Sequence, residues 1–78
     1  MEKIVHKILQ IFQTHGIRSG GVLSKKLMMD EIKAWPADEK MMVRDAWHTL
    51  VGHGLIQEGH PEGPTLTPAG ERAIYGGS

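Results

Sequence analysis

The chain has 78 residues, with nine basic and nine acidic side chains, five histidines and no cysteine. A chain this short builds one modest core, burying about 60% of the surface its unfolded form exposes, and has little room for a large internal substrate cavity. The lack of cysteine excludes disulfides and thiolate metal ligands, so the fold must rest on packing alone.

No apolar run is long enough to cross a bilayer, and the opening MEKIVHKILQIF alternates polar with apolar residues. The expectation is a soluble, cytoplasmic protein with no membrane partner. Zero net charge conceals a division. Residues 1–27 carry Lys3, Lys7, Arg18, Lys25 and Lys26 against Glu2, a net charge of +4, and the remainder carries the compensating −4. If this imbalance becomes two poles on the surface, it steers a partner or favours self-association.

In chain order, helix 1 is predicted from Glu2 to His15. Ile4, Val5, Ile8, Leu9, Ile11 and Phe12 form its apolar stripe, and Gly16 ends it. The IRSGGVL connection follows, with Gly20 and Gly21 breaking regular structure and Val22 and Leu23 forming a very short strand. SGGVLSKK lacks the spacing of a phosphate-binding loop and has no convincing strand before it. Ser24 is read as the cap of helix 2, predicted from Lys25 to Ala34. Leu27, Met28 and Ile32 point inward, Trp35 closes that side, and Lys26 pairs with Asp30 one turn on.

Pro36 to Gly54 is the stretch around which the chain is organised. Pro36 suits a first helical position, Asp38 and Glu39 complement the helix dipole, and Gly54 is a left-handed stop. Val43, Ala46, Trp47, Leu50 and Val51 form the buried face of this helix 3, with Trp47 read as core. Lys40, Arg44, Asp45, His48 and Thr49 lie opposite. Leu55 to Gln57 and Thr65 with Leu66 then read as two strands joined by the turn residues GHPEGP. Thr67 caps a last helix that opens on Pro68 and runs to Tyr75, from which Ala69, Ala73 and Ile74 reach the core. The whole is one domain over residues 1–75, with a loose tail at 76–78.

The histidines do not make a metal site. His48 and His53 are off one helical face, and His53 with His60 across the ribbon is the only pair to check as ligands. Asp45 and His48 have the spacing of a base and its orienter, but no serine or cysteine is placed as their nucleophile. No catalytic residue, metal or cofactor is therefore assigned. The doublets Met28, Met29 and Met41, Met42 flank Trp35. A doublet cannot point both side chains into one interior, so Met29, Met41, Met42 and Trp35 form a candidate protein-interaction patch at the helix 2 and helix 3 junction.

The segments AWHTLVGHGLIQEG and LTPAGERAI, in that order and spacing, resemble the winged helix-turn-helix family. Leu50, Gly54, Leu55 and Ile56 match the exit from the third helix into the first wing strand. Leu66, Thr67, Pro68, Ala69 and Gly70 match the passage from the second wing strand into the last helix. The resemblance implies a mainly α fold with a small two-stranded wing, in the order helix 1, short strand, helix 2, helix 3, strand, wing, strand, helix 4. It further implies a regulatory protein, working as a dimer, with helix 3 in the major groove of double-stranded DNA. Carried over by position, Lys40, Arg44, His48 and Thr49 face the groove, Arg44 being the best reader of a guanine edge, and Lys25, Lys26 and Arg18 approach phosphates. The wing, however, holds Glu58 and Glu62 and neither lysine nor arginine. The alternative is a winged helix that binds a protein partner or a second copy of itself in place of DNA.

Overall fold

The computed structural model describes residues 2–76. Four helices and a two-stranded sheet follow in the order α1 (Glu2–Thr14), α2 (Lys25–Lys33), α3 (Ala37–Gly52), β1 (Ile56–Gln57), β2 (Thr65–Leu66) and α4 (Pro68–Tyr75). This is the mainly α arrangement with a small wing between α3 and α4 that the sequence predicts. Gly77 and Ser78, most of the expected tail, lie outside the described residues. Gly76 ends α4 in the left-handed conformation, its N–H bonding the Arg72 carbonyl at 2.9 Å. No described helix is long and apolar enough to cross a membrane.

Two helices stop by the same local device. After α1, Gly16 adopts φ +66°, its N–H reaches the Gln13 carbonyl at 3.0 Å and the Ile17 N–H reaches Phe12 at 2.9 Å. After α3, Gly54 adopts φ +70°, with Gly54 N–H on Val51 and Leu55 N–H on Leu50, both at 3.0 Å. These paired bonds satisfy carbonyls that would otherwise be orphaned at a helix end. Each also turns the following apolar residue, Ile17 or Leu55, back onto the core. Position-specific chemistry in the sequence thus sets the angle at which the chain leaves both helices.

β1 and β2 pair antiparallel, Ile56 opposite Leu66 and Gln57 opposite Thr65. Gly20 to Lys25 runs along the other edge of β2. Val22 bridges Thr65, Gly20 N–H bonds Leu66 at 2.8 Å, Leu23 N–H bonds Pro64 at 2.9 Å, and Lys25 N–H bonds Glu62 at 3.1 Å. The very short strand expected at Val22 and Leu23 is therefore this third extended stretch. It ties the wing to the start of α2.

The buried core consists of Ile4, Ile8, Leu9, Ile11 and Phe12 from α1, Leu23 from the connection before α2, Ala46 and Leu50 from α3, and Ile56 and Leu66 from the sheet. The passage Leu66 to Gly70 is locked to the exit from α3. The Thr67 hydroxyl accepts the Gly70 N–H at 3.0 Å, capping α4, and itself reaches the Leu55 carbonyl at 2.9 Å. Gly70 is buried against that same carbonyl: a Cβ here would lie 2.1 Å from the Leu55 oxygen. Close backbone approach, which only glycine permits, explains the last residue of the LTPAG segment.

Several expectations are corrected. Helix 1 ends at Thr14 and helix 2 at Lys33. Pro36 is the cap residue of α3, one position before the helix, and the Ser24 side chain makes no capping bond. Leu27 is 43% exposed, and α2 has no fully buried residue, because only the edge carrying Met28 and Ile32 meets the core. Lys26 and Asp30 form no ion pair, both remaining solvated. Trp47 is half-buried, and Ala73 is exposed because α4 packs on α1 through other positions, Ile74 among them.

Candidate nucleic-acid interface

The outer face of α3 presents Lys40, Arg44, Asp45 and His48 to solvent. Thr49 differs from them. It is half-buried, and its hydroxyl donates to the Asp45 carbonyl one turn back at 3.0 Å, so its proton is held within the helix. Lys25 and Lys26 are exposed in the first turn of α2, where no acidic residue accompanies them. The structure therefore brings the lysines of α2 and the cations of α3 onto adjoining helices. It places Arg18 elsewhere. The Arg18 guanidinium lies 4.0 Å from a Glu71 carboxylate oxygen and 4.2 Å from the Tyr75 ring centre, tied to α4. Ser19 N–H also bonds Glu71, and the Tyr75 hydroxyl donates to the Ile17 carbonyl, both at 2.9 Å, so that loop and α4 are held together.

The acidic first turn of α3 is divided by the fold. Asp38 is exposed, whereas the Glu39 side chain is only 13% exposed and turns toward α1. Lys7 donates to its carboxylate, and the Lys3 ammonium lies 3.5 Å away. The Lys7 hydrogen bond is the main cause that holds the Glu39 carboxyl below the ordinary carboxylate range, against the opposing effect of desolvation. Lys7 also sits 4.4 Å over the Trp35 ring. This cluster was missed in the sequence because Lys7 and Glu39 are 32 positions apart. The available signal was the placement of Lys3 and Lys7 one turn apart on helix 1, opposite no acidic neighbour of their own.

Ion pairing sorts the cations. Lys3, Lys7 and Arg18 are engaged by carboxylates. Of the other six, which have no carboxylate partner among the described residues, Lys25, Lys26, Lys33, Lys40 and Arg44 lie on α2 and α3, and Arg72 alone lies elsewhere. Glu39 leaves the outer face of this helix pair for Lys3 and Lys7, and Glu31 lies 4.0 Å from His15 on the α1 side. The acids left exposed on these two helices are Asp30, Asp38 and Asp45, with Glu31 exposed on the side toward His15.

The apolar candidates divide as well. Met41 is 81% exposed and Met29 62% exposed, Met42 is less so, and Trp35 is half-buried under Lys7. Met29 borders a shallow depression shared with Ile32, Lys33 and Lys40, so exposed apolar surface and free cations adjoin across the two helices. The wing loop, Glu58 to Pro64, folds back against the start of α2: Gly63 and Pro64 are buried, and a Cβ at Gly63 would fall 2.0 Å from the Leu23 oxygen. Among the described residues, no group of three or more histidines and carboxylates could hold a metal ion, His53 and His60 included.

The helix order and the wing give a topology consistent with a winged-helix fold. No protein-family model, curated protein or solved structure matches the chain.

Proposed function

We propose that this chain is a DNA-binding regulatory domain that presents α3 to the major groove and works as a dimer. The observation that carries the reading is the sorting of cations: of the six with no carboxylate partner among the described residues, five lie on α2 and α3. Phosphate neutralisation supplies most sequence-independent affinity, and a cation already paired within the fold gives less of it. Lys25, Lys26 and Lys33 serve the backbone, while Lys40, Arg44 and His48 face base edges, Arg44 being suited to a guanine. Four exposed acids on the same helices, Asp30, Glu31, Asp38 and Asp45, limit what one copy contributes, so two copies on one duplex are required for firm binding.

The test is fluorescence anisotropy of labelled random-sequence duplex DNA against the chain, with salt varied. Binding is expected at low salt, weakening with a log–log slope of roughly −3 to −5 per copy, as about four to five neutralised phosphates imply. Arg44→Glu is expected to abolish it. Absence of binding at low salt overturns the reading.

A second reading, a winged helix that recognises a protein, is favoured by the 81% exposure of Met41 and 62% exposure of Met29 and by the acidic wing residues Glu58 and Glu62. Flexible, polarisable methionines at a surface suit adaptable protein contacts. Loss of partner binding on Met41→Ser, with DNA binding absent, is the outcome that reading requires.

A further inference from the structure

The wing loop, α2 and α3 border a solvent-open cleft of about 550 Å³, a size at which proteins hold small molecules. Its lining is mainly apolar. Trp47 from α3, Met28 and Met29 from α2, and Pro61 and Pro64 from the wing surround it. Trp47 is half-buried because one part of it packs on the core and another lines this cleft.

Three polar side chains share the lining: Lys25, Glu58 and His60. Neither Lys25 nor Glu58 has an ion-pair partner among the described residues. His60 Nδ1 accepts the Glu62 N–H at 3.1 Å, so the neutral ring carries its proton on Nε2 and offers a second donor. The cleft therefore combines an aromatic and thioether wall with one free cation, one free carboxylate and an imidazole donor. A purely apolar occupant would shield both charges from water without replacing their partners. A simple anion would meet Glu58, and a simple cation would meet Lys25.

We propose that the cleft binds a free apolar amino acid. The side chain packs on Trp47 and the methionines, the α-carboxylate is met by Lys25 and His60, and the α-ammonium is met by Glu58. One zwitterion with an apolar body answers every group in the lining. The cleft adjoins the groove-reading side chains of α3 and shares Lys25 with the proposed phosphate contacts, but amino-acid binding in it does not depend on DNA binding.

The test is titration of the unmodified chain with L-leucine, L-methionine, L-phenylalanine and L-tryptophan, followed by calorimetry and, for the non-fluorescent ligands, by tryptophan emission. At least one is expected to bind with a submillimolar Kd. Its N-acetyl and its amide derivatives are each expected to bind roughly tenfold more weakly or worse, the loss that follows from removing one charge-assisted contact. Lys25→Gln and Glu58→Gln, both at exposed positions, are checked for retained helix content by circular dichroism. Glu58→Gln should bind the free amino acid as weakly as the unmodified chain binds the N-acetyl form, and Lys25→Gln as weakly as it binds the amide. No response to any of the four amino acids overturns the proposal. So does equal affinity for the capped forms, which would make the cleft a peptide groove, or unchanged affinity in both variants, which would place binding elsewhere.

Discussion

Helices α1 and α2 have comparable apolar periodicity in the sequence and opposite roles in the fold. α1 contributes five of the ten buried core residues, and α2 contributes none. The difference lies in their neighbours: α1 packs on α3 and on α4, whereas α2 meets the core along the edge carrying Met28 and Ile32. α2 is held mainly at its ends, by buried Leu23 and the Lys25 to Glu62 bond before it and by Trp35 after it. Stability is therefore concentrated where α1, α3 and the sheet meet, and three of the five free cations, Lys25, Lys26 and Lys33, ride on α2, which contributes little to it. A surface carried in this way can change its charge without endangering the core.

The sharpest way to break that comparison is truncation on each side of it. Phe12 is fully buried, and Phe12→Ala should cost about 3–5 kcal/mol. A domain of this size has about 4–12 kcal/mol in total, so the variant should unfold at a much lower urea concentration than the unmodified chain. Met29→Ala, on α2, should stay within about 0.5 kcal/mol of the unmodified chain in the same titration. A cost of about 2 kcal/mol at Met29 would mean that α2 belongs to the stabilising unit after all. Gly70→Ala comes next. Its new Cβ meets the Leu55 backbone oxygen, which no side-chain rotation can relieve, and a loss of about 2–3 kcal/mol is expected from thermal unfolding.

What the sequence made legible was local chemistry. Gly16 and Gly54 as left-handed stops, Thr67 with Pro68 as a helix start, and the Ile56 and Leu66 strand pair are all encoded within a few residues. Among the candidate interface residues, exposure of Lys25, Lys26, Lys40, Arg44 and His48 followed from helical spacing. The rest depended on tertiary contact. Periodicity gives the direction of Leu27 but not whether a neighbour covers it, and none does. Trp47 has the spacing of a core residue, yet the wing loop leaves a cleft beside it. Arg18 reads as a free loop cation until Glu71 and Tyr75, more than 50 residues away, are brought to it. Glu39 reads as one of two acids favourable to a helix dipole until α1 supplies its lysines.

Smaller effects refine the same division. Thr67→Ala removes the cap of α4 and its bond to Leu55, and a loss of about 1 kcal/mol is expected. Glu39 offers the finest test, because it lies on the interface helix but is bound to the stabilising side. Its carboxyl is held below the ordinary value of 4.5, chiefly by the Lys7 hydrogen bond, so the charged form is favoured by folding. Its contribution is therefore complete above about pH 4.5, where the unfolded chain is also ionised, and is lost as pH falls through the lower folded-state value. Glu39→Gln should lower Tm at pH 7, and the gap from the unmodified chain should close as the medium is acidified through that window. Asp38→Asn is the control, since it removes a charge from the same helix turn at an exposed site and perturbs only the dipole interaction. If the Glu39→Gln gap persisted unchanged into acid, the side chain would be stabilising by packing and hydrogen bonding, without its charge. Lys3 and Lys7 would then be available to a polyanion, and the concentration of free cations on α2 and α3, to which Arg72 is the one exception among the described residues, would no longer hold.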